Sequence, residues 1–223
     1  PGGLIRMSRT TATANEVLID EGATYAQGTV THNLTMYRAS SGALVFGAGT
    51  VQWAYGLDTE HVSDSGTATD SVIQQATINL LADMGAQPGS RQTGTVAATK
   101  STDTIAPTTT ILSPASGASV SSGSPVTISG TSVDAGGGVV AGVECSIDGG
   151  ATWRAATGTN SWSAVVTPTT QGPLTVRVRS IDDSCNIEVN PASVALVVGS
   201  RSLPAPLFPD SLVPSVPRSN DGS

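Results

Sequence analysis

The sequence predicts two regions of different fold class, an α/β partial domain followed by an all-β sandwich of two antiparallel sheets. Residues 43–46, ALVF, form a continuous apolar run that is typical of a strand covered on both faces. Residues 72–84 carry apolar side chains at helical spacing, whereas the segments after Thr108 alternate between apolar and polar side chains. This change of period near residue 90 predicts a domain boundary.

The first region, residues 1–90, is expected to be part of a parallel sheet with a crossover helix. Ser71 and Gln74 match a capping box at the start of the helix, and Gly85 marks its end. A doubly wound sheet needs about five strands, so the region is predicted to be the closing part of an N-terminally truncated domain. The expected strands are Leu4–Ser8, Leu34–Arg38 and Ala43–Ala48, and the expected buried helix face is Ile73, Ala76, Leu80 and Met84.

Polar loops in this region contain residue types that bind metals, but their spacing does not predict a site. Histidine ligands in a metal motif recur at short fixed intervals, and no His-x-x-x-His is present. The glycines of GAG, residues 47–49, do not continue into a phosphate-binding motif because residue 52 is Gln. The metal-ligating side chains considered are His32, Asp58, Glu60, His61 and Asp64.

Two stretches, LTMYRASSGALVFGAGTVQWAYGLD and IQQATINLLADMGAQP, lie in the same order as in a known family. Residues 1–88 thereby resemble the C-terminal region of the N,N-dimethylformamidase large-subunit family. The resemblance implies a fold like that of class I glutamine amidotransferases, in an amide hydrolase whose iron centre lies in an earlier domain. None of those iron ligands can be placed on this chain, and residues 1–90 contain no cysteine nucleophile.

Residues 108–199 are predicted to form a seven-stranded sandwich, separated from the first region by a linker at 91–107. Short alternating segments recur roughly every ten residues with turn residues between them. One buried and one solvated face per strand indicates two packed antiparallel sheets, and seven strands in about 90 residues are typical of an immunoglobulin-like domain. The segments are 108–112, 125–133, 139–147, 151–156, 160–166, 174–181 and 193–198.

The stretch SIDGGATW, residues 146–153, has the spelling of the Asp-box of sialidases. Between two alternating segments it predicts a hairpin, in which Asp148 bonds to the turn and Gly149 and Gly150 supply positive φ. Trp153 is expected to pack on the returning strand. Sialidases carry several copies on propeller blades and this chain has one, so the motif is interpreted as a structural turn and no catalytic residue is expected.

A longer stretch, from TILSPASGASV to SIDGGATW, followed by VRSIDDSCN, resembles bacterial Ig-like modules of secreted and cell-surface proteins over residues 105–199. It also resembles the C-terminal dimerisation domain of sulfite-oxidase-type molybdenum enzymes, through VE-x-S-x-DGG-x-TW and a later D-x-x-x-N. The Ig-like resemblance is favoured because the preceding residues do not match a molybdopterin-binding domain. It implies an extracellular or cell-surface location.

Two further sets of residues in the sandwich are candidate binding sites. Asp182, Asp183 and Asn186 could offer oxygens to Ca²⁺, although a turn held by Asx bonds is the favoured interpretation. Trp153 and Trp162 could form a carbohydrate platform, although packing is the commoner role for tryptophan in strands.

The two cysteines are expected to remain unpaired. Cys145 lies near the end of one strand and Cys185 in a turn placed near the opposite end of the sheet. A disulfide requires Cα atoms within about 7 Å, and this placement puts them farther apart. Cys145 is therefore predicted to be a core residue and Cys185 an exposed turn residue capable of an intermolecular bridge.

Composition excludes two classes of partner. The net charge is −7, only 12% of residues are charged and no basic cluster occurs, so nucleic acid is not an expected partner. No apolar run approaches the roughly 20 residues that span a bilayer. Residues 200–223, with frequent proline, predict an extended tail.

The function expected is that of a non-catalytic C-terminal segment of a secreted bacterial multidomain protein. Its Ig-like domain would serve as a spacer or interaction module, with other domains of the parent chain, protein or carbohydrate as partners and no cofactor of its own. One alternative is a part of an active C–N hydrolase whose iron centre lies upstream. Others are a carbohydrate-binding module or a dimerisation domain.

Overall fold

The first region is an antiparallel three-stranded sheet with one helix. A computed structural model of the chain describes residues 1–61 and 68–200. Strands β1 (Ile5–Ile19) and β2 (Thr24–Arg38) form a long hairpin, and β3 (Leu44–Gly47) pairs with the end of β2. The hairpin turns through Asp20–Gly22, where Glu21 and Gly22 have φ of 57° and 91°.

The expectation of a parallel sheet is wrong, and the α/β class of this region is not confirmed. All pairings in the sheet are antiparallel, and Val45 in the ALVF run remains 38% exposed. A short apolar run fits several environments, so it did not identify a strand covered on both faces. The expected strands at 4–8 and 34–38 are the base of the hairpin. The rest of β1 was missed because RTTATANE has no large apolar residue that would mark a buried face.

Helix α1 (Ser71–Asp83) begins one residue before the predicted start. Its N-cap is Asp70, whose Oδ1 accepts hydrogen bonds from the backbone N–H groups of Val72 (2.7 Å) and Ile73 (3.2 Å). The predicted Ser71 capping box is therefore wrong. The helix ends before Gly85, which has a φ of 82° as expected for a C-terminal cap.

The buried face of α1 differs from the predicted one. Gln74, Ile78 and Ala82 are the buried residues, whereas Met84 is exposed. Gln74 lies on this face because its Nε2 donates to the Leu57 carbonyl at 2.8 Å, which satisfies a polar side chain at an inner position. No helix among the described residues is long and apolar enough to cross a membrane.

Residues 108–199 form the predicted sandwich of two sheets. All seven predicted segments contain strands. The strands are β4 (Thr108–Ser113), β5 (Ala118–Ser121), β6 (Val126–Val133), β7 (Val140–Ser146), β8 (Arg154–Ala155), β9 (Thr157–Gly158), β10 (Ser161–Val166), β11 (Gly172–Asp182) and β12 (Ala192–Gly199). One sheet has the order β4-β6-β10-β9 and the other β5-β12-β11-β7-β8. The short β5, which pairs in parallel with β12, and the two-residue β9 were not predicted.

The core of the sandwich lies between the two sheets. Ile128 of one sheet and Val176 and Val178 of the other are fully buried, together with Trp162. Gly130 is required beside them because a Cβ there would collide with the Thr110 carbonyl and the Trp162 ring. The alternating apolar side chains that predicted the sandwich are therefore the side chains that form its core.

The first region packs on the sandwich at the base of its hairpin. Ile5 and Met36 form a buried cluster with Ile181 and Cys185 of the sandwich. The Arg38 guanidinium donates to the Ser184 carbonyl at 3.0 Å. Residues 91–107 connect the regions without helix or strand, and residues 201–223 of the tail lie outside the described residues.

Candidate functional site

The turn after β7 is organised around Asp148. Its Oδ1 accepts from the Thr152 backbone N–H at 2.9 Å and from the Ser146 hydroxyl at 2.7 Å, and its Oδ2 accepts from the Thr152 hydroxyl. Gly149 and Gly150 have φ of 76° and 99°. The bonds from Thr152, followed by that from Ser146, hold the pKa of the Asp148 carboxyl well below its usual range. These contacts occupy the carboxylate within its own turn.

The two tryptophans do not form a carbohydrate platform. Trp162 is 3% exposed and belongs to the sandwich core. Trp153 is partly buried, with the Arg179 guanidinium 3.9 Å from the centroid of its ring. A sugar ring stacks through its C–H groups on an open aromatic face, and the Arg179 guanidinium already covers one face of Trp153.

Arg179 also takes part in the contact between the two regions. Its guanidinium pairs with the Glu144 carboxylate at 2.6 Å, and the Gly3 backbone N–H donates to the other Glu144 oxygen at 3.0 Å. Glu144 is buried. A buried carboxylate is stable only with such partners, so its charge favours the docked position of the N-terminal residues.

A second buried carboxylate, Glu188, accepts three hydrogen bonds from protein donors. Its Oε1 accepts from the Thr109 backbone N–H at 3.0 Å, and its Oε2 from the Ser180 N–H at 3.1 Å and the Thr109 hydroxyl at 2.6 Å. This arrangement ties β4 to β11 across the two sheets. The three bonds between strands indicate a structural role for Glu188.

The predicted Ca²⁺ candidates separate in the structure. Asp182 is fully buried, and its Oδ1 accepts from the backbone N–H groups of Ser184 (2.9 Å) and Asn186 (2.7 Å). Its Oδ2 accepts from the Asn186 side-chain amide at 2.7 Å. Burial raises the pKa of the Asp182 carboxyl, against the lowering effect of the Asn186 bonds. Asp182 and Asn186 thus form an Asx turn, in which the Asp182 carboxylate accepts three hydrogen bonds.

Asp183 instead belongs to a cluster that the sequence did not reveal. One carboxylate oxygen from each of Asp103, Asp134 and Asp183 lies within 4.8 Å of the others. It is the one group of three or more potential metal ligands among residues 1–61 and 68–200. Asp103 comes from the connecting segment, Asp134 from the loop after β6 and Asp183 from the turn after β11. The sequence shows this cluster only as separate Asp-containing loops, and whether they lie close together depends on the strand order.

The histidines of the first region are not brought to a common site. His32 Nε2 lies 2.6 Å from the Ala48 carbonyl oxygen, and the His61 ring stacks on Tyr55 at 4.2 Å between centroids. Asp58 accepts from the Glu60 backbone N–H at 2.8 Å in a local turn. Asp64 lies outside the described residues.

Both cysteines are free and buried. The prediction for Cys145 is confirmed, because it lies in the sandwich core. The expectation that Cys185 is exposed is wrong, because the base of the N-terminal hairpin covers it. Burial raises the pKa of each thiol to about 11, so both are protonated at neutral pH and neither is an activated nucleophile.

The sandwich matches a known protein family. Residues 107–178 match the family model described as a bacterial Ig domain. This part of the chain is therefore similar to bacterial Ig domains. The match ends within β11, and the sandwich, here called the Ig domain, continues through β12 to Gly199.

Similar solved structures include fibronectin(III)-like modules of Clostridium thermocellum CbhA, at 18% identity and a TM-score of 0.32. That match covers 43% of this chain and 99% of the CbhA chain. An engineered protein solved at 1.98 Å matches at 23% identity and a TM-score of 0.32, over 61% of this chain and 30% of its own. No curated protein matches the chain.

Proposed function

We propose that the chain is a non-catalytic structural segment of a larger bacterial protein, in which the Ig domain supports a docked β-sheet and helix as a spacer or interaction module. The observation that carries this proposal is the shared cluster of Ile5, Met36, Ile181 and Cys185. Burying these side chains removes apolar surface of both regions from water at once, which makes the two regions one unit.

The polar contacts around this cluster support the same conclusion. Gly3 bonds to Glu144 of the Ig domain. Arg38 bonds to the carbonyl oxygen of Ser184, and Ser101 bonds to its hydroxyl. These bonds fix both the distance and the orientation of the first region relative to the Ig domain. A spacer needs both if it is to hold neighbouring domains in a set orientation.

The non-catalytic assignment is supported by the surroundings of the reactive side chains. A nucleophilic site requires a nucleophile and a base within hydrogen-bond reach. The thiols of Cys145 and Cys185 are buried and protonated, and neither has a histidine among its hydrogen-bond partners in the part of the chain that the structure describes.

Calorimetry and activity assays on the full chain test the proposal. We expect one cooperative thermal transition whose calorimetric and van't Hoff enthalpies agree. We also expect no turnover of formamides or aryl glycosides above the uncatalysed rate. Two separated transitions would overturn the single unit, and measurable turnover that survives repurification would overturn the non-catalytic role.

The finer proposal is that the parent protein is secreted and similar to N,N-dimethylformamidases. Its support is the pair of stretches quoted from residues 34–88, with the Ig-like resemblance favouring export. Reading the gene upstream of Pro1 tests it, because such a parent must encode iron ligands and an export signal there. Carbohydrate binding is not proposed, since Trp162 is in the core.

A further inference from the structure

The carboxylates of Asp103 and Asp134 each keep one oxygen free beside Asp183, whose Oδ1 accepts from the Val139 N–H at 3.1 Å. Asp103 Oδ1 accepts from the Ile105 backbone N–H at 2.9 Å, and Asp134 Oδ1 accepts from the Gly136 N–H at 3.0 Å. These bonds fix each carboxylate and leave its second oxygen, Oδ2, unused. Both Oδ2 atoms are buried and have no hydrogen-bond partner.

Two buried, unpartnered carboxylate oxygens in one place are costly for a folded protein. A buried polar atom normally has a partner, and a buried charge is normally paired or coordinates a metal. The described residues contain one ion pair, Arg179 with Glu144, so no basic side chain pairs with this cluster within that part of the chain. The unpaired oxygens therefore indicate a ligand that the protein itself does not provide.

The three oxygens surround the Cα of Gly138. A Cβ at that residue would lie 2.5 Å from Asp183 Oδ1, 2.7 Å from Asp103 Oδ2 and 2.8 Å from Asp134 Oδ2. Any side chain at residue 138 would therefore collide with the carboxylates, so the three oxygens can meet here only beside a glycine. A pocket of about 220 Å³, lined in part by Lys100, Asp103 and Asp183, borders the cluster.

We propose that Asp103, Asp134 and Asp183 form a Ca²⁺ site at the junction between the connecting segment and the Ig domain. Ca²⁺ takes six to eight oxygen ligands at about 2.3–2.6 Å in flexible geometry, which suits three carboxylates from separate loops completed by carbonyls and water. Mg²⁺ requires a near-ideal octahedron and retains its water, so it is the weaker candidate. Of the three residues that the sequence indicated as Ca²⁺ ligands, only Asp183 belongs to this site.

The consequence of binding is to fix the connecting segment. Asp103 belongs to residues 91–107, which have no helix or strand, whereas Asp134 and Asp183 belong to loops of the Ig domain. The Asn186 side-chain amide already donates to the Asp103 carbonyl at 3.1 Å, which places the segment beside the loops. A bound cation would replace repulsion among three carboxylates by attraction to all of them.

The test is Ca²⁺ binding to the full chain after treatment with chelator, by calorimetric titration and by thermal unfolding. We expect one Ca²⁺ per chain with a Kd of roughly 10⁻⁴–10⁻³ M, the range of extracellular modules. Saturating Ca²⁺, about 100 times Kd, is expected to raise the unfolding midpoint by roughly 5–10 °C. Equal concentrations of Mg²⁺ control for ionic strength.

Variants assign the site. The double substitution Asp103→Asn and Asp134→Asn keeps the Oδ1 acceptors of both turns but removes two charges, so we expect Ca²⁺ affinity to fall at least about tenfold. Asp58→Asn is the matched control, because Asp58 also accepts from a backbone N–H two residues ahead. Asp183→Asn, in an exposed residue, gives the same comparison if the double variant does not fold.

Three results would overturn the proposal. They are the absence of Ca²⁺ binding to the wild-type chain at about 10 mM, unchanged Ca²⁺ affinity in both the double variant and Asp183→Asn, and an equal rise of the unfolding midpoint with Mg²⁺. Loss of binding in the Asp58→Asn control would equally remove the assignment to these three residues.

Discussion

The Ig domain and the N-terminal hairpin are both built from antiparallel strands, yet they differ in how many side chains their strands bury. Along β11, Val176 and Val178 are fully buried and alternate with exposed residues, because a second sheet covers one face. Along β1 only Ile5 is buried, and Leu18 and Ile19 near the tip are exposed. A two-stranded ribbon without a covering layer is marginally stable in water. The hairpin therefore depends on its base, where it meets the Ig domain.

The largest expected effect contrasts one substitution in the two regions. Ile128→Ala should lower the free energy of unfolding by about 3 kcal/mol, because it leaves a cavity between the sheets. Ile19→Ala in the hairpin should change it by less than about 0.5 kcal/mol, since Ile19 is 42% exposed. Urea unfolding measures both. Similar losses for the two variants would show that the hairpin tip has a packing partner.

The next effect concerns the base of the hairpin. Met36→Ala should lower the free energy of unfolding by roughly 2 kcal/mol through loss of buried contacts with Ile181 and Cys185. Met7→Ala is the control, because Met7 lies on the same hairpin and is 51% exposed. Hydrogen exchange in Met36→Ala should become faster in β1 and β2 than in the core amides of the Ig domain, because the hairpin opens locally in addition to global unfolding. An equal increase across the whole chain would show that the hairpin does not open locally.

Thiol reactivity should report whether that junction is closed. With the pKa of each thiol raised to about 11, its thiolate population at pH 8 is roughly a hundredfold below that of a free cysteine. We expect slow labelling of the native chain by a disulfide reagent and rapid labelling of both thiols after denaturation. In Met36→Ala, Cys185 should react faster and Cys145 should not. One rapidly reacting thiol in the native wild type would mean that the hairpin does not cover Cys185.

The smallest expected effect lies at the turn of Asp148. Asp148→Ala should lower the unfolding midpoint at pH 7 by roughly 2–4 °C through loss of bonds to Ser146 and Thr152. Because those bonds lower the folded-state pKa, the ionised carboxylate stabilises the fold above about pH 4, and this contribution is lost as the pH falls further. The difference from wild type should therefore shrink near pH 2. Asp148→Asn, which keeps one acceptor, should lie between the two, and a constant difference at every pH would contradict the role of the charge.

How well the sequence predicted each part depended on whether side-chain pattern or tertiary contact decided the outcome. The pattern of Val176 and Val178 was visible because a covering sheet imposes strict alternation. In RTTATANE no covering sheet exists, so nothing in the pattern separated a long strand from a loop. The helix was predicted within one residue, but its inward face was set by the Gln74 bond to Leu57, a contact that periodicity does not contain.

The candidate cation site shows the same limit. Asp183 was visible as part of a polar turn, but its partners are Asp103 and Asp134, which are 80 and 49 residues away along the chain. Their meeting depends on the path of residues 91–107 across the loops after β6 and β11. The local sequence predicted Asp182 and Asn186 as the partners of Asp183 instead, and these two residues bond to each other.

The backbone at Cys185 has a consequence for the evolution of related chains. Cys185 has a φ of 62° and is nevertheless 3% exposed. A left-handed backbone favours glycine or asparagine, whereas a place under Ile5 and Met36 favours a compact apolar side chain. Where no hairpin docks, only the backbone conformation would constrain the residue at the corresponding turn. That residue should then be glycine or asparagine more often. The residue found there in homologous Ig domains would then distinguish domains that carry such a neighbour from domains that do not.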